Sequence, residues 1–517
     1  MTIHRLLAPL ALSALLGGCA LAPPQRPAII ANEAANEVAD ERAECLEVFR
    51  RVDAAVARAR VADGMAARVA DFPYLRVSRF LASYAQEEQS EARFAQWMSR
   101  MVALGTDGHT VELGNLTVEQ AEALAHELWN IHARYAWARP AVTECAGRLA
   151  ALDAADPGRR AALRRAARVP DDYATWQRIV GLYWITRVPF AAGIRRWQDE
   201  TRAVFAQPLA ALPVKGRLQT YAPPEGWLTR EQLVAILERA SANPLAIPDP
   251  RRDDLELLFR VFAPEFVVDI AGDADEPGEL GWGEGDTPRV VSKRAVVYRR
   301  VSWARHAGRP LLQLNYSIWF PARPRTSEWD LLGGHLDGVL WRVTLGPDGA
   351  PWVYDSIHLC GCYHLFFPTA RAVTKPQPDT LDEMAFAPQV LPRVEPGTRI
   401  VLRLATGTHY LERVTPAAAQ ARSAIEYIFA EDDTLRSRPL PDSGRRSVFR
   451  AHGIVPGTER GERYLFWPMG IAEPGAMRQW GRHATAFVGR RHFDDPDLLE
   501  RYFLLMDQSI ESADQRR

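Results

Sequence analysis

The chain predicts an α+β protein, an N-terminal helical domain followed by a sheet-rich α+β domain with antiparallel hairpins. Apolar residues recur at spacings of three and four up to about Phe205, whereas beyond Val290 the period changes to two. Between them, from Ala206 to Asp254, proline is frequent, which sets the boundary near residue 210. The expected organisation is 1–18 as a leader, 19–34 as a tether, 35–210 as the helical domain and 211–517 as the α+β domain.

His4 and Arg5 precede an apolar run from Leu6 to Leu16. That run is too short for a ~30 Å hydrocarbon core and has the length of a signal-peptide core. It ends Leu16-Gly17-Gly18-Cys19, which resembles the bacterial lipobox. The resemblance implies a lipoprotein: cleavage before Cys19, diacylation of its thiol, and acylation (palmitate-type) of the new amino terminus. The first expected partner is thus a membrane, reached through lipid on Cys19. Ala20 follows instead of Asp, which implies outer-membrane sorting over inner-membrane retention and is compatible with the periplasmic or the surface face. Ala22 to Asn32, with Pro23, Pro24 and Pro27, reads as a semi-extended tether.

Helical pattern begins after residue 35. Cys45, Val48, Phe49, Val52 and Val56 line one face, and Phe94, Trp97, Met98 and Met101 another. Helix stops are expected at Asp63-Gly64, at Gly105 to Gly108 and at Asp156-Pro157-Gly158. His126-Glu127-Leu128-Trp129-Asn130 approaches the zinc-protease pattern but ends in Asn. His132 does not substitute, because six residues along a helix turn it roughly 120° away from His126. Leu228 to Ala242, opened by Thr229, is expected as a connecting helix.

Strands are expected at Val290–Trp303, Leu311–Phe320, Val339–Leu345, Trp352–Leu365 and Thr398–Leu404, with helical pattern returning at Ala417–Tyr427 and Asp497–Met506. The composition, 47% hydrophobic and 25% charged over 517 residues, is that of a globular protein. With 63 Lys plus Arg against 64 Asp plus Glu, nothing in the balance points to nucleic acid. Apart from Cys19 there are four cysteines, an even number suited to an oxidising compartment such as the periplasm. A Cys45–Cys145 disulfide would close a loop of about 100 residues and stabilise by roughly 4.7 kcal/mol. The alternative is two buried thiols on unrelated helices.

One hairpin concentrates chemistry. His358, Cys360, Cys362 and His364 alternate with Ile357, Leu359, Gly361, Tyr363 and Leu365, so a straight strand puts all four on one face. Gly346-Pro347-Asp348-Gly349 is a turn signal, and an even loop makes paired numbers sum to 695 or 697. His335 then faces Cys360 or Cys362, and Asp337 faces His358 or Cys360. The expectation is a metal site of His335, Asp337, His358 and Cys360, suited to zinc with an open position for activated water. The same groups suit a cysteine nucleophile beside a histidine oriented by Asp337. A kink at Gly361 would instead bring Cys360 and Cys362 together as a disulfide or as packed thiols.

Near the C-terminus, Arg478, Arg482 and His483 interleave with Trp480, a set suited to binding an anion, with salt bridging to Asp494, Asp495 and Asp497 as the competing use. Two functions follow. One is metal-dependent hydrolysis of an envelope substrate, with zinc as cofactor. The other is a non-catalytic envelope binding or scaffold lipoprotein, without a cofactor, whose cysteines are structural and whose helical half docks an envelope protein.

Overall fold

The computed structural model describes residues 28–505 except 377, 379, 393, 396–397 and 418–422, and the side chains from residue 36 onward. The leader, Cys19 and the tether up to Pro27 lie outside the described residues. The chain divides into Met1–Glu44, which holds the first part of helix α1 (Ala28–Ala59), and Cys45–Arg517. Helix α1 therefore starts inside the stretch expected to be tether.

From Cys45 the N-terminal region is helical. After α1 come a short hairpin, β1 (Ala67–Val69) and β2 (Phe72–Val77), and the single turn α2 (Arg79–Ala82). Helices α3 (Glu91–Gly114), α4 (Val118–Trp129), α5 (Ala138–Ala155) and α6 (Pro157–Ala166) follow. Ser90 caps α3, Thr117 forms a capping box with Gln120, and Asp156 accepts the Gly158 and Arg159 amides at the head of α6. The stop expected at Gly105 to Gly108 is absent because α3 runs straight through it. A Cβ at Gly105 would collide with the Tyr74 carbonyl and one at Gly108 with the Arg76 guanidinium, so these glycines let α3 lie on β2. Cys45 and Cys145 form a disulfide with Cα atoms 5.0 Å apart, in a core with Phe49, Tyr74, Trp97 and Leu149. Helices α7 (Thr175–Val180) and α8 (Tyr183–Ala206) complete this region.

The sheet-rich region opens with β3 (Arg217–Ala222), α9 (Arg230–Ser241), α10 (Arg252–Phe262) and β4 (Glu265–Ile270). Thr229 caps α9 as expected, and forms a capping box with Gln232. Strands β5 (Glu279–Trp282) and β6 (Pro288–Val291) pair with each other. Next come β7 (Val296–His306), β8 (Arg309–Arg323), β9 (Gly334–Leu345), β10 (Pro351–His358), β11 (Leu365–Pro368) and β12 (Ala372–Thr374). Strands β13 (Arg399–Leu404), β14 (Leu411–Ala417), β15 (Ala424–Glu426) and β16 (Ile428–Glu431) follow, so extended chain replaces the helix expected from Ala424 on. A six-stranded sheet has the order β11-β10-β9-β8-β7-β16 and is antiparallel except at β16, and a five-stranded sheet has the order β14-β13-β4-β3-β15. Both contribute to one apolar core with α9 and α10, in which Trp341, Tyr316, Phe266 and Leu402 are buried. Expected and observed architectures agree: helices first, then sheets joined by antiparallel hairpins.

Candidate functional site

The β9–β10 hairpin pairs Val353 with Thr344 and His358 with Val339, a constant sum of 697, with a bulge beside the turn at Pro351. In that register His358 faces Val339 and lies diagonal to Asp337 on the neighbouring strand, with Nδ1 3.5 Å from Oδ1. The rest of the expected metal set is dispersed. Leu336 adopts φ 55°, which breaks the alternation of β9 and sends His335 elsewhere, its Nε2 2.5 Å from the Pro288 carbonyl. β10 ends at His358, and Cys360 lies in a turn where Gly361 has φ 90° and donates to the His358 carbonyl at 2.7 Å. Among the described residues, no group of three or more His, Cys, Asp and Glu side chains is placed to hold a metal ion. The zinc site at His335, Asp337, His358 and Cys360 is thereby corrected, and metal-dependent hydrolysis with it.

Asp337 is instead the centre of a buried ion network. Its Oδ2 is 2.9 Å from His409 Nδ1, and its Oδ1 accepts from Arg460 at 3.2 Å. His409 Nε2 faces Asp275 Oδ1 at 3.4 Å, and the ring stacks on Phe320 with centroids 3.9 Å apart. Burial works against ionising Asp337, yet Arg460 and the two histidines hold it well below the usual carboxylate range. Burial likewise opposes charge on His409, but bonds to Asp275 and Asp337 win and raise it above its ordinary value. Two carboxylates are thus matched by an imidazolium and a guanidinium. His358 is lowered by burial, against the opposing pull of Asp337 3.5 Å away, and is left neutral. Asp337 is thus surrounded by His358, His409 and Arg460 in one buried network.

The thiols of Cys360 and Cys362 are free and buried. The Cys362 amide donates to Cys360 Sγ at 3.4 Å, and among the described residues neither thiol is hydrogen-bonded to an imidazole. Burial would raise Cys360, but the bond with Cys362 and the charge of Arg460 lower it, whereas that same bond and burial push Cys362 well up. Arg478 spends its donors on the carbonyls of Cys360, Ala472 and Glu473, and Arg482 on Gly64 O and Asp172. His483 is buried and pushed down to about 3 by burial beside Arg478. Arg478 and Arg482 of the expected anion site are therefore engaged inside the protein, and His483 is buried beside them.

A wide opening belongs to a feature the sequence did not single out. A cleft of about 720 Å³ lies between α8 and the segments around Tyr363, Phe386 and Phe466. Its walls are aromatic: Trp197 packs on Tyr363 and Phe386 with centroids 5.4 and 5.5 Å apart, and Phe466 stacks between Phe190 and Phe487 at 5.2 and 4.2 Å. Its polar lining is sparse. Arg491 is held by the oxygens of Thr485, Glu383 and Met384. His364 sits 2.9 Å from Asp355, but burial keeps it neutral, down to about 3. Burial also pushes the Glu462 carboxyl up to about 7, the neighbouring charges of Arg460 and Arg323 opposing. A second cavity of about 210 Å³, lined by His358, shares the wall of Trp197, Tyr363 and Tyr410. The alternation of α8 carried no sign of this cleft, because its partners come from segments more than a hundred residues away. Comparison with known proteins gives no matching family model, no matching curated protein and no matching solved structure.

Proposed function

We propose that the chain is a non-catalytic envelope lipoprotein that binds a small amphipathic molecule in the cleft along α8. The observation that carries the binding half is the cleft itself, whose volume and aromatic lining with a few polar groups are those of small-molecule sites, typically ~300–1,000 Å³. The polar groups nearby support binding over catalysis. The Asp337 network is charge-matched, Arg491 is fully engaged, and the thiols are packed against one another. The carboxyl of Glu462, which lines the cleft and is pushed up to about 7 by burial, suits a ligand that presents a hydroxyl or an ammonium group.

The anchoring half rests on Leu16-Gly17-Gly18-Cys19 after its apolar run, and outer-membrane sorting rests on Ala20. Mass spectrometry of the N-terminal peptide tests it: Cys19 is expected as the first residue, carrying acyl chains, and an unprocessed or unacylated terminus refutes it. Binding is tested by titrating the neutral probe N-phenyl-1-naphthylamine in the absence of membrane. A Cβ at Gly193, in the lining of the cleft, meets no atom within 4 Å, so Gly193→Trp places its bulk at the cleft without a clash at the backbone. Saturable probe fluorescence lost in Gly193→Trp is expected; no saturable binding, or equal binding in both proteins, refutes the reading.

A further inference from the structure

Helix α7 and the first turns of α8, joined at Gly181 and Leu182, carry a run of apolar side chains in solvent. Trp176, Ile179, Val180, Trp184, Ile185 and Val188 are all exposed, Trp184 by 70% and Ile179 by 69%. Trp467 packs edge-on to Trp176 at 5.7 Å, and Leu465, 55% exposed, extends the apolar surface. So many large apolar groups in one stretch mark an interaction surface, since leaving them in water forfeits about 25 cal/mol per Å². We infer that this face docks onto a lipid bilayer, and that the cleft takes its ligand, an acyl lipid, from that bilayer.

Three observations select a membrane as the occupant. First, the face adjoins the cleft: Leu465, which lines the cleft, is exposed two residues before Trp467, which packs on Trp176. A bilayer covering that face therefore lies beside the cleft at Leu465. Second, Arg195 and Arg196 are exposed further along α8. They stand about 15 Å from Ile185 at 1.5 Å per residue. Apolar turns seated ~5–10 Å into the acyl boundary would leave both guanidinia near anionic headgroups. Third, tryptophans flanking aliphatic residues are the composition of the membrane interface, where an apolar ring with one polar edge is best solvated. The inference of a lipid ligand rests on the amphipathic-ligand reading above.

The test uses the mature chain, exported behind an ordinary cleavable leader with Cys19→Ser so that no acyl chain contributes. It is mixed with vesicles of phosphatidylethanolamine and phosphatidylglycerol and floated on a density gradient, beside a Trp184→Ser, Ile185→Ser, Val188→Ser variant. The parent is expected to float, with its tryptophan emission quenched by lipids brominated on their acyl chains, and the triple variant to bind at least about tenfold more weakly. The variant is expected to keep the parent's probe binding in the cleft, which shows that it folds. Lysophosphatidylethanolamine is expected to displace that probe. Failure of the parent to float, or equal flotation of the variant, overturns the docking surface. Self-association that the variant abolishes, without flotation, assigns the face to a second copy and overturns it too. Flotation without probe binding removes the ligand reading alone, so the two failures are separable.

Discussion

Two buried ion networks hold the Cys45–Arg517 unit together, and they differ in what carries the positive charge. At the junction of the helical and sheet-rich regions, Asp63 accepts from Arg436 at 2.7 Å, Arg76 at 3.1 Å and Gln479 at 3.0 Å, while Arg76 also reaches Glu112 at 2.6 Å. Every cation there is a guanidinium, which stays charged at any pH a protein survives. Within the sheet-rich region, Asp337 and Asp275 share the His409 imidazolium, which does not. Similar burial and similar distances therefore yield one joint indifferent to pH and one that responds to it.

The largest expected effect falls on the guanidinium joint. Arg76→Met leaves Asp63 and Glu112 short of a buried partner and is expected to cost about 3–5 kcal/mol in urea unfolding, by the same amount at pH 6 as at pH 9. A cost that changes strongly with pH would break the contrast. His409→Gln keeps one donor toward Asp337 and is expected to cost about 1–3 kcal/mol at pH 6. His409 is held above its ordinary 6.5, so its contribution is fully present below 6.5 and lost as pH rises through the raised value. The gap between wild type and His409→Gln should accordingly close on the alkaline side; a gap that widens there contradicts the assignment.

Acidification sharpens the comparison differently. His364 and His483 stay neutral in the folded chain down to about 3, whereas the unfolded chain takes up protons at both below about 6.5. Stability should fall by about 1.4 kcal/mol per pH unit for each of them in that window, and His483→Asn should remove one such increment from the measured slope. The smallest effect is expected at His335, half-buried and outside both networks, where His335→Ala should cost no more than about 1 kcal/mol by thermal melting.

What was legible in the sequence was local. The register of the β9–β10 hairpin follows from its turn residues: 697 is one of the two alignments the turn allows, although direct pairing of Asp337 with His358 belonged to the other and the two meet only diagonally. The cap at Thr229 was likewise readable from residue type, and the disulfide between Cys45 and Cys145 was one of the two alternatives the sequence left open. What escaped depends on distant partners. His409, Asp275 and Arg460 complete the Asp337 network from three separate segments with no shared periodicity. Leu336 carries no turn signature, yet its left-handed backbone separates His335 from Asp337. The glycines of α3 read as a stop because their value lies in the strand packed against them.

Those glycines set the mutational alphabet of the helical region. At Gly105 and Gly108 a single added carbon collides with β2 and with Arg76, while at Gly147 on α5 it meets nothing within 4 Å. A saturation library scored for folded protein should return only glycine at the first two positions and nearly every residue at the third. Had a lineage widened its choice at Gly108, it would first have had to give up Arg76.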